Sequence, residues 1–359
     1  MTEQNDPHSG TRILVILAAL AIITGGIHQA QEVLLWLLVA IFLAAIGTPS
    51  VLWLEQKRIP YVVAVLLVVV GMAAILVFIG GLVGTSLKSF YADLPYYQTR
   101  LQKHISSLQT FLEAEGIPFT NSLLFDQVKP EAVRSLTARL LTGLGSALFE
   151  IVLMLLAVTF ILLEASSFPV KLRAIFGDPQ KDFHRFMGFV YDINRYMIIK
   201  TAISLVVGVL IGIWLSILGV DFPILWGFLA FLLHYVPNVG AIIAAVPAVF
   251  LALIQFGIGR ASLAAVGYLA VEFILGNVVE PMLMGRRLGL STLVVFLSLI
   301  FWGGLLGLIG VVLSIPLTMT LKYVCENNKS TRWIAILLGP EMSLAQVPQT
   351  PKKEADSVT

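Results

Sequence analysis

Charge is what this sequence has least of. Only 12% of its 359 residues are Asp, Glu, Lys or Arg, where an ordinary soluble domain carries about a quarter. The scarcity is regional. Between Thr201 and Gly259 the one charged residue is Asp221, and between Leu288 and Leu321 there is none. Cysteine is nearly absent too: Cys325 stands alone, which excludes an intramolecular disulfide. The net charge of +2 provides no basic field for nucleic acid. No phosphate-binding glycine loop and no H-E-x-x-H zinc motif occur, and His28, His104 and His184 are scattered. No nucleophile–base pair stands out. These absences argue against an enzyme, a metal site, a cofactor and an ATP-driven pump within this chain.

What fills the sequence is hydrocarbon: 58% of residues are hydrophobic, and the mean hydropathy is +0.93. Eight apolar blocks stand at about 13–30, 33–54, 61–86, 146–164, 197–219, 222–256, 261–282 and 291–322. About 20 helical residues cross a bilayer core, so blocks of this length read as membrane spans. The runs are continuous and do not alternate, which favours helices over a barrel. The expected class is an all-α polytopic membrane protein. The first run follows a weakly charged flank (Glu3, Asp6, Arg12) and is succeeded almost at once by a second, which reads as a retained span and not a cleaved signal.

The chain divides into N-terminal membrane helices (1–86), one large extramembrane region (87–145), a membrane core (146–322) and a polar tail (323–359). In the second part Leu94, Tyr97, Leu101, His104, Leu108 and Phe111 recur at spacings of three and four, an amphipathic stripe on a helix. That helix breaks at Gly116-Ile117-Pro118, and another starts with Pro130 in its first turn. It is expected to lie over the bundle or the membrane interface; a subunit contact, hence a homo-oligomer, is the sharper reading. Short loops rich in Lys and Arg mark the cytoplasm. Lys57 and Arg58, then Lys171, Arg173, Lys181, Arg185 and Arg195, place both termini there and residues 87–145 outside. Arg195, Tyr196 and Lys200 are expected to anchor a helix end at the interface.

Blocks 222–256 and 291–322 exceed what one span needs, and each is interrupted. The first breaks at Pro237-Asn238-Val239-Gly240, the second through Gly303, Gly304 and Gly307 with Gly310 following, and each carries a later proline, Pro247 and Pro316. Either each is a long kinked span, or each is a hairpin that dips in and returns; charge placement leans toward hairpins. Broken helices at membrane depth occur where they are buried in protein or line a cavity, and paired interruptions point to a transport path. Pro237 is expected to free a carbonyl one turn back. Glu272, Asn277 and Glu280, followed by Pro281, form a polar stripe in an apolar block. A carboxylate at that depth must be hydrated, paired or neutral.

Tyr235-Val-Pro237-Asn238-Val-Gly240, Gly276-Asn277-Val-Val-Glu280-Pro281-x-x-Met284-Gly285 and the stretch from Leu288 through Trp302-Gly303 and Gly310 to Ser314-Ile-Pro316-Leu resemble the autoinducer-2 exporter (AI-2E) family, most closely its autoinducer-2 transport branch. The resemblance runs from the first block to about Lys322 and is densest after Tyr196. It implies a permease of the bacterial cytoplasmic (inner) membrane that exports autoinducer-2, with Tyr235, Pro237, Asn238, Gly240, Asn277, Glu280, Pro281 and Gly285 as motif positions. Glu272 lies outside those motifs, and Arg286-Arg287 is more basic than the pattern. Some relatives are described as sodium or other cation/proton antiporters, so that activity stands as the alternative. A non-transporting membrane scaffold is the second alternative. The expected partners are a small polar solute and the lipid bilayer.

Overall fold

The computed structural model describes residues 25–26, 29–114, 130–168, 170–171, 174, 180–237, 239–284, 290–327 and 330–339. The apolar run up to residue 24, the break at 116–118, Asn238, Gly285 to Arg287 and the tail from Ser343 lie outside them. Every regular element among the described residues is a helix: α1 (Gln31–Gln56), α2 (Tyr61–Ala114), α3 (Pro130–Ala165), α4 (Gln180–Leu218), α5 (Pro223–Leu233), α6 (Val239–Phe256), α7 (Ile258–Val271) running on through a π-helical stretch (Glu272–Val279) into α8 (Glu280–Met284), α9 (Thr292–Asn327) and α10 (Arg332–Leu338). Among the described residues, six helical stretches are long and apolar enough to cross a membrane. Their outer faces carry exposed Val62, Val70, Phe78, Ile213 and Leu269. An aqueous surface would penalise so much apolar area, and a bilayer does not. Residues up to Met284 and residues from Gly285 form two separate compact units.

In the first unit, small residues decide which helices meet. Ala40, Ala44, Gly47 and Val51 recur along one face of α1 and are buried with Ala64 and Val65 of α2 and Val158 and Leu162 of α3. Small side chains let membrane helices approach closely. A close backbone approach joins α4 to α5. A Cβ on Gly208 would sit 2.7 Å from the Gly227 carbonyl oxygen, and one on Gly227 would sit 2.6 Å from that of Gly208. The Gly208-x-x-x-Gly212 pattern therefore marks a real backbone contact, whereas Gly80, in the similar Gly80-x-x-x-Gly84, faces open space.

The long 222–256 block is a hairpin. Asp221 precedes it and Gln255 nearly ends it, yet the two touch: the Gln255 side-chain amide donates to Asp221 Oδ2, and its oxygen accepts from the Asp221 backbone amide at 3.3 Å. Tyr97 of α2 donates to the same carboxylate at 2.6 Å, and Arg100 donates to the Gln255 carbonyl at 2.9 Å. The block thus returns to the place where it began, and the near end of the amphipathic stripe covers its base; Leu94 and Tyr97 are buried there.

The second unit repeats the device. Gly307 has φ +64° and ψ −150°, outside any helical conformation, and divides α9 into two arms. Trp302 Nε1 donates to Thr318 Oγ1 at 3.0 Å; a straight helix would hold residues 16 apart at ~24 Å. The break is narrower than the glycine run suggests. Gly303 is pressed against Val311 and Gly310 against the Trp302 carbonyl, so both permit the arms to close, while Gly304 meets nothing. Pro316 lies buried inside the second arm and does not end it.

Two outcomes follow from these packings. Gly227→Leu should destabilise the detergent-solubilised protein by about 1–3 kcal/mol through overpacking, read as a lower melting temperature, while Gly80→Leu leaves it unchanged. In a Cys325→Ser background, cysteines placed at Tyr96 and Ile258 should react with an impermeant maleimide from the same side of the membrane. Reaction from opposite sides would mean that 222–256 crosses.

Candidate functional site

The hairpin 222–256 turns at residues 234–237. His234 closes α5, bonding its amide to the Ala230 carbonyl at 2.9 Å. A Cβ on Gly240 would collide with the Leu233 carbonyl and lie 3.0 Å from Val236 Cβ, so only glycine lets the chain turn this tightly. The carbonyl that Pro237 was expected to free is not free. In a continuing helix the Leu233 carbonyl would await the nitrogen of residue 237; here it accepts the Val236 amide at 2.9 Å, and the Pro237 carbonyl accepts Val239 at 2.7 Å. The turn satisfies its own backbone, and the chemistry passes to side chains.

Those side chains converge from three elements. Lys200 of α4 donates to both Glu280 oxygens, at 2.7 and 3.0 Å. His234 stands between two carboxylates: Nδ1 lies 3.3 Å from Glu272 Oε2, and Nε2 lies 3.2 Å from Glu280 Oε2 without the alignment of a hydrogen bond. Lys200 is 3% exposed and His234 4%; the two carboxylates are largely covered. Next to the cluster, the Tyr235 hydroxyl donates to Thr201 Oγ1 at 2.8 Å, and its ring meets Phe42 of α1 and Phe231 of α5 edge-on. A narrow cavity lined by His234, Tyr268, Val271 and Glu272 opens beside the imidazole. The Tyr268 hydroxyl in it has no hydrogen-bond partner among the described residues.

Local backbone explains how two acids eight residues apart reach one imidazole. Residues 272–279 are π-helical, wider than an α-helix, and such stretches recur at functional sites. Gly276 leaves the space into which Glu272 folds: a Cβ there would be 2.8 Å from Glu272 Oε1. The same widening breaks the expected face-sharing of Asn277 with Glu280. Asn277 is exposed, as is Pro281, and neither joins the cluster. Asn238 and Gly285 lie outside the described residues.

The expectation that Lys200 anchors a helix end is overturned. It is buried because Glu280 supplies the charge that makes burial tolerable. His234 stands immediately before the quoted Tyr235-Val-Pro237-Asn238-Val-Gly240 stretch and was not singled out. The available signal was charge balance: the acids of the 261–282 block require a cationic partner at the same depth, and Lys200 and His234 are the basic residues that flank charge-free stretches. Among the described residues, no three His, Cys, Asp or Glu side chains converge as a metal site; imidazole and ammonium fill the space between the carboxylates.

Helical hairpins and a buried ionisable cluster at a hairpin turn, in a chain with several membrane-length helices, fit a polytopic membrane transport protein. The chain belongs to the AI-2E transporter family, whose model matches residues 15–329. TqsA of Escherichia coli (strain K12), named an AI-2 transport protein, is 37% identical over 331 residues, covering 92% of this chain and 96% of its own. YhhT of the same strain is 36% identical over 340 residues, 95% and 97% of the two chains. A protein of Haemophilus influenzae is 36% identical over 334 residues, 91% and 96%. The last two bear names that propose transport and specify no solute.

Removing one partner of a buried ion pair strands the other, at a cost of about 3–5 kcal/mol. Lys200→Met and Glu280→Gln should each lower the melting temperature sharply, and the double variant should recover part of the loss. Strictly additive losses would mean that the two groups do not interact.

Proposed function

We propose that this chain exports a small polar solute, with autoinducer-2 the favoured substrate, along a path passing the turn at 234–240 and the Lys200–Glu280–His234–Glu272 cluster. The observation that carries the reading is the cluster itself. Ionisable groups at membrane depth are costly and mark solute or ion paths, and this one sits where a broken helix turns, the arrangement expected of transporter sites. The name of TqsA supplies the solute. Tyr235, Pro237 and Gly240 shape the turn; Asn238, Asn277, Pro281 and Gly285 are proposed as further path residues. The protein would lie in the bacterial inner membrane with both termini cytoplasmic and residues 87–145 outside, dividing at about 86, 145 and 322.

A second reading is cation/proton exchange, favoured by the charge count. With neutral imidazole the cluster carries one positive and two negative charges. One proton on His234, or one external cation, would balance it.

Transport in proteoliposomes separates the readings. Autoinducer-2 flux that falls at least tenfold in Glu280→Gln and Lys200→Met, with a milder loss in Glu272→Gln, supports export. Proton movement driven by a sodium gradient, indifferent to autoinducer-2, supports exchange. Wild-type rates in all three variants would reduce the cluster to a packing element.

A further inference from the structure

We propose that the protein holds a phospholipid, with one acyl chain in an apolar groove between α2, α4 and α5 and its phosphate on Arg260. The groove has a volume of about 480 Å³. Leu82 and Val83 of α2, Val209 and Ile213 of α4, and Phe228 and Phe231 of α5 form its walls. Its floor is the contact between Gly208, Gly212 and Gly227, which lack the side chains that would fill it. Along α4 the lining runs from Leu205 to Ile217, twelve residues and so ~18 Å. One leaflet of hydrocarbon is about 15 Å deep, half of the ~30 Å core. The groove is therefore as long as one acyl chain, and it is too apolar to hold ordered water.

One end of the groove is charged. Ile217 and Ser216 line that end, and Arg260 donates from Nη1 to the adjoining Leu218 carbonyl at 3.1 Å. Its guanidinium lies over the Phe256 ring, 4.1 Å from the centroid. Arg260 is exposed and pairs with no carboxylate among the described residues; the nearby Asp221 carboxylate is occupied by Tyr97 and Gln255. Guanidinium carries five N–H donors in a fork that suits phosphate, and among the described residues one of them is used. A cationic head site at the end of a groove of one-chain length fits an amphiphile with an anionic phosphate. A second protein copy would instead be expected to offer Arg260 a carboxylate and to leave the groove's depth unfilled.

The test uses full-length protein in vesicles doped with phosphatidylglycerol bearing a photoreactive acyl chain, and in parallel with diacylglycerol bearing the same chain. Adducts should concentrate in 205–217 and 223–231 relative to lipid-facing Val62, Val63, Leu66, Leu67 and Val70. Ser216→Phe, which places a ring in the groove, should reduce groove labelling by both probes at least fivefold. Arg260→Gln, at an exposed position that should leave the melting temperature unchanged, should reduce labelling by phosphatidylglycerol only. Three results overturn the proposal: adducts spread evenly over all lipid-facing helices, phosphatidylglycerol labelling indifferent to Arg260→Gln, or an inter-copy disulfide at Ile213→Cys in a Cys325→Ser background, which would put a second copy in the groove.

Discussion

The ion pair between Lys200 and Glu280 is the interaction on which the membrane core depends. Neither group can be buried alone, because a lone charge in a low-dielectric interior is among the costliest things a fold can contain. Together, and with His234 and Glu272 around them, they join α4, the turn after α5 and the stretch 272–284 at one point. Beside the neutral Tyr235–Thr201 bond and the exposed Arg195–Leu283 bond, the packing around them is largely apolar or glycine-to-glycine, and lipid offers apolar surfaces nearly as good a partner. Directional, charged contacts are what fix one arrangement of hairpin and helix among several that would pack about as well.

A second constraint acts on the backbone. A helix cannot stop in hydrocarbon and leave its amides and carbonyls bare. The hairpin at 234–240 resolves this within itself, through the Val236, Val239 and Gly240 amides. At its base, Arg100 of α2 donates to the Gln255 backbone carbonyl, and the Gln255 side-chain oxygen accepts the Asp221 amide. This explains why α2 continues as one helix well past its apolar section. Its Tyr97 turn is the lid on the ends of the hairpin.

Much of this architecture was legible in the sequence. Block length and the absence of charge gave the helical membrane class, and the interruptions at 237–240 and 303–307 gave the positions where the chain turns. Less was legible where three-dimensional partners decide the outcome. Hairpin and kinked span have the same composition; what separates them is that Asp221 meets Gln255 and Trp302 meets Thr318, contacts with no local signature. Lys200 looked like an interfacial anchor because it stands with Arg195 and Tyr196 at the start of an apolar block. Its partner lies 80 residues away. Helical periodicity also misled at Asn277, since a π-helical stretch rotates residues out of the face that 3.6 residues per turn would assign them.

The geometry of the cluster constrains how the hairpin and its neighbours can move. A displacement that separates the turn from α4 or from 272–284 must either carry Lys200, His234, Glu272 and Glu280 along as a unit or supply a new partner to each group left behind. The first alternative makes the three elements one rigid body. The second requires an incoming charge or strong hydrogen-bonding group, since stranding one partner costs about 3–5 kcal/mol, comparable to a population shift from nearly all to nearly none. A proton, a cation or a polar solute can each meet that requirement, and an apolar molecule cannot. The same side chains that hold the resting structure together therefore also restrict which species could drive its rearrangement.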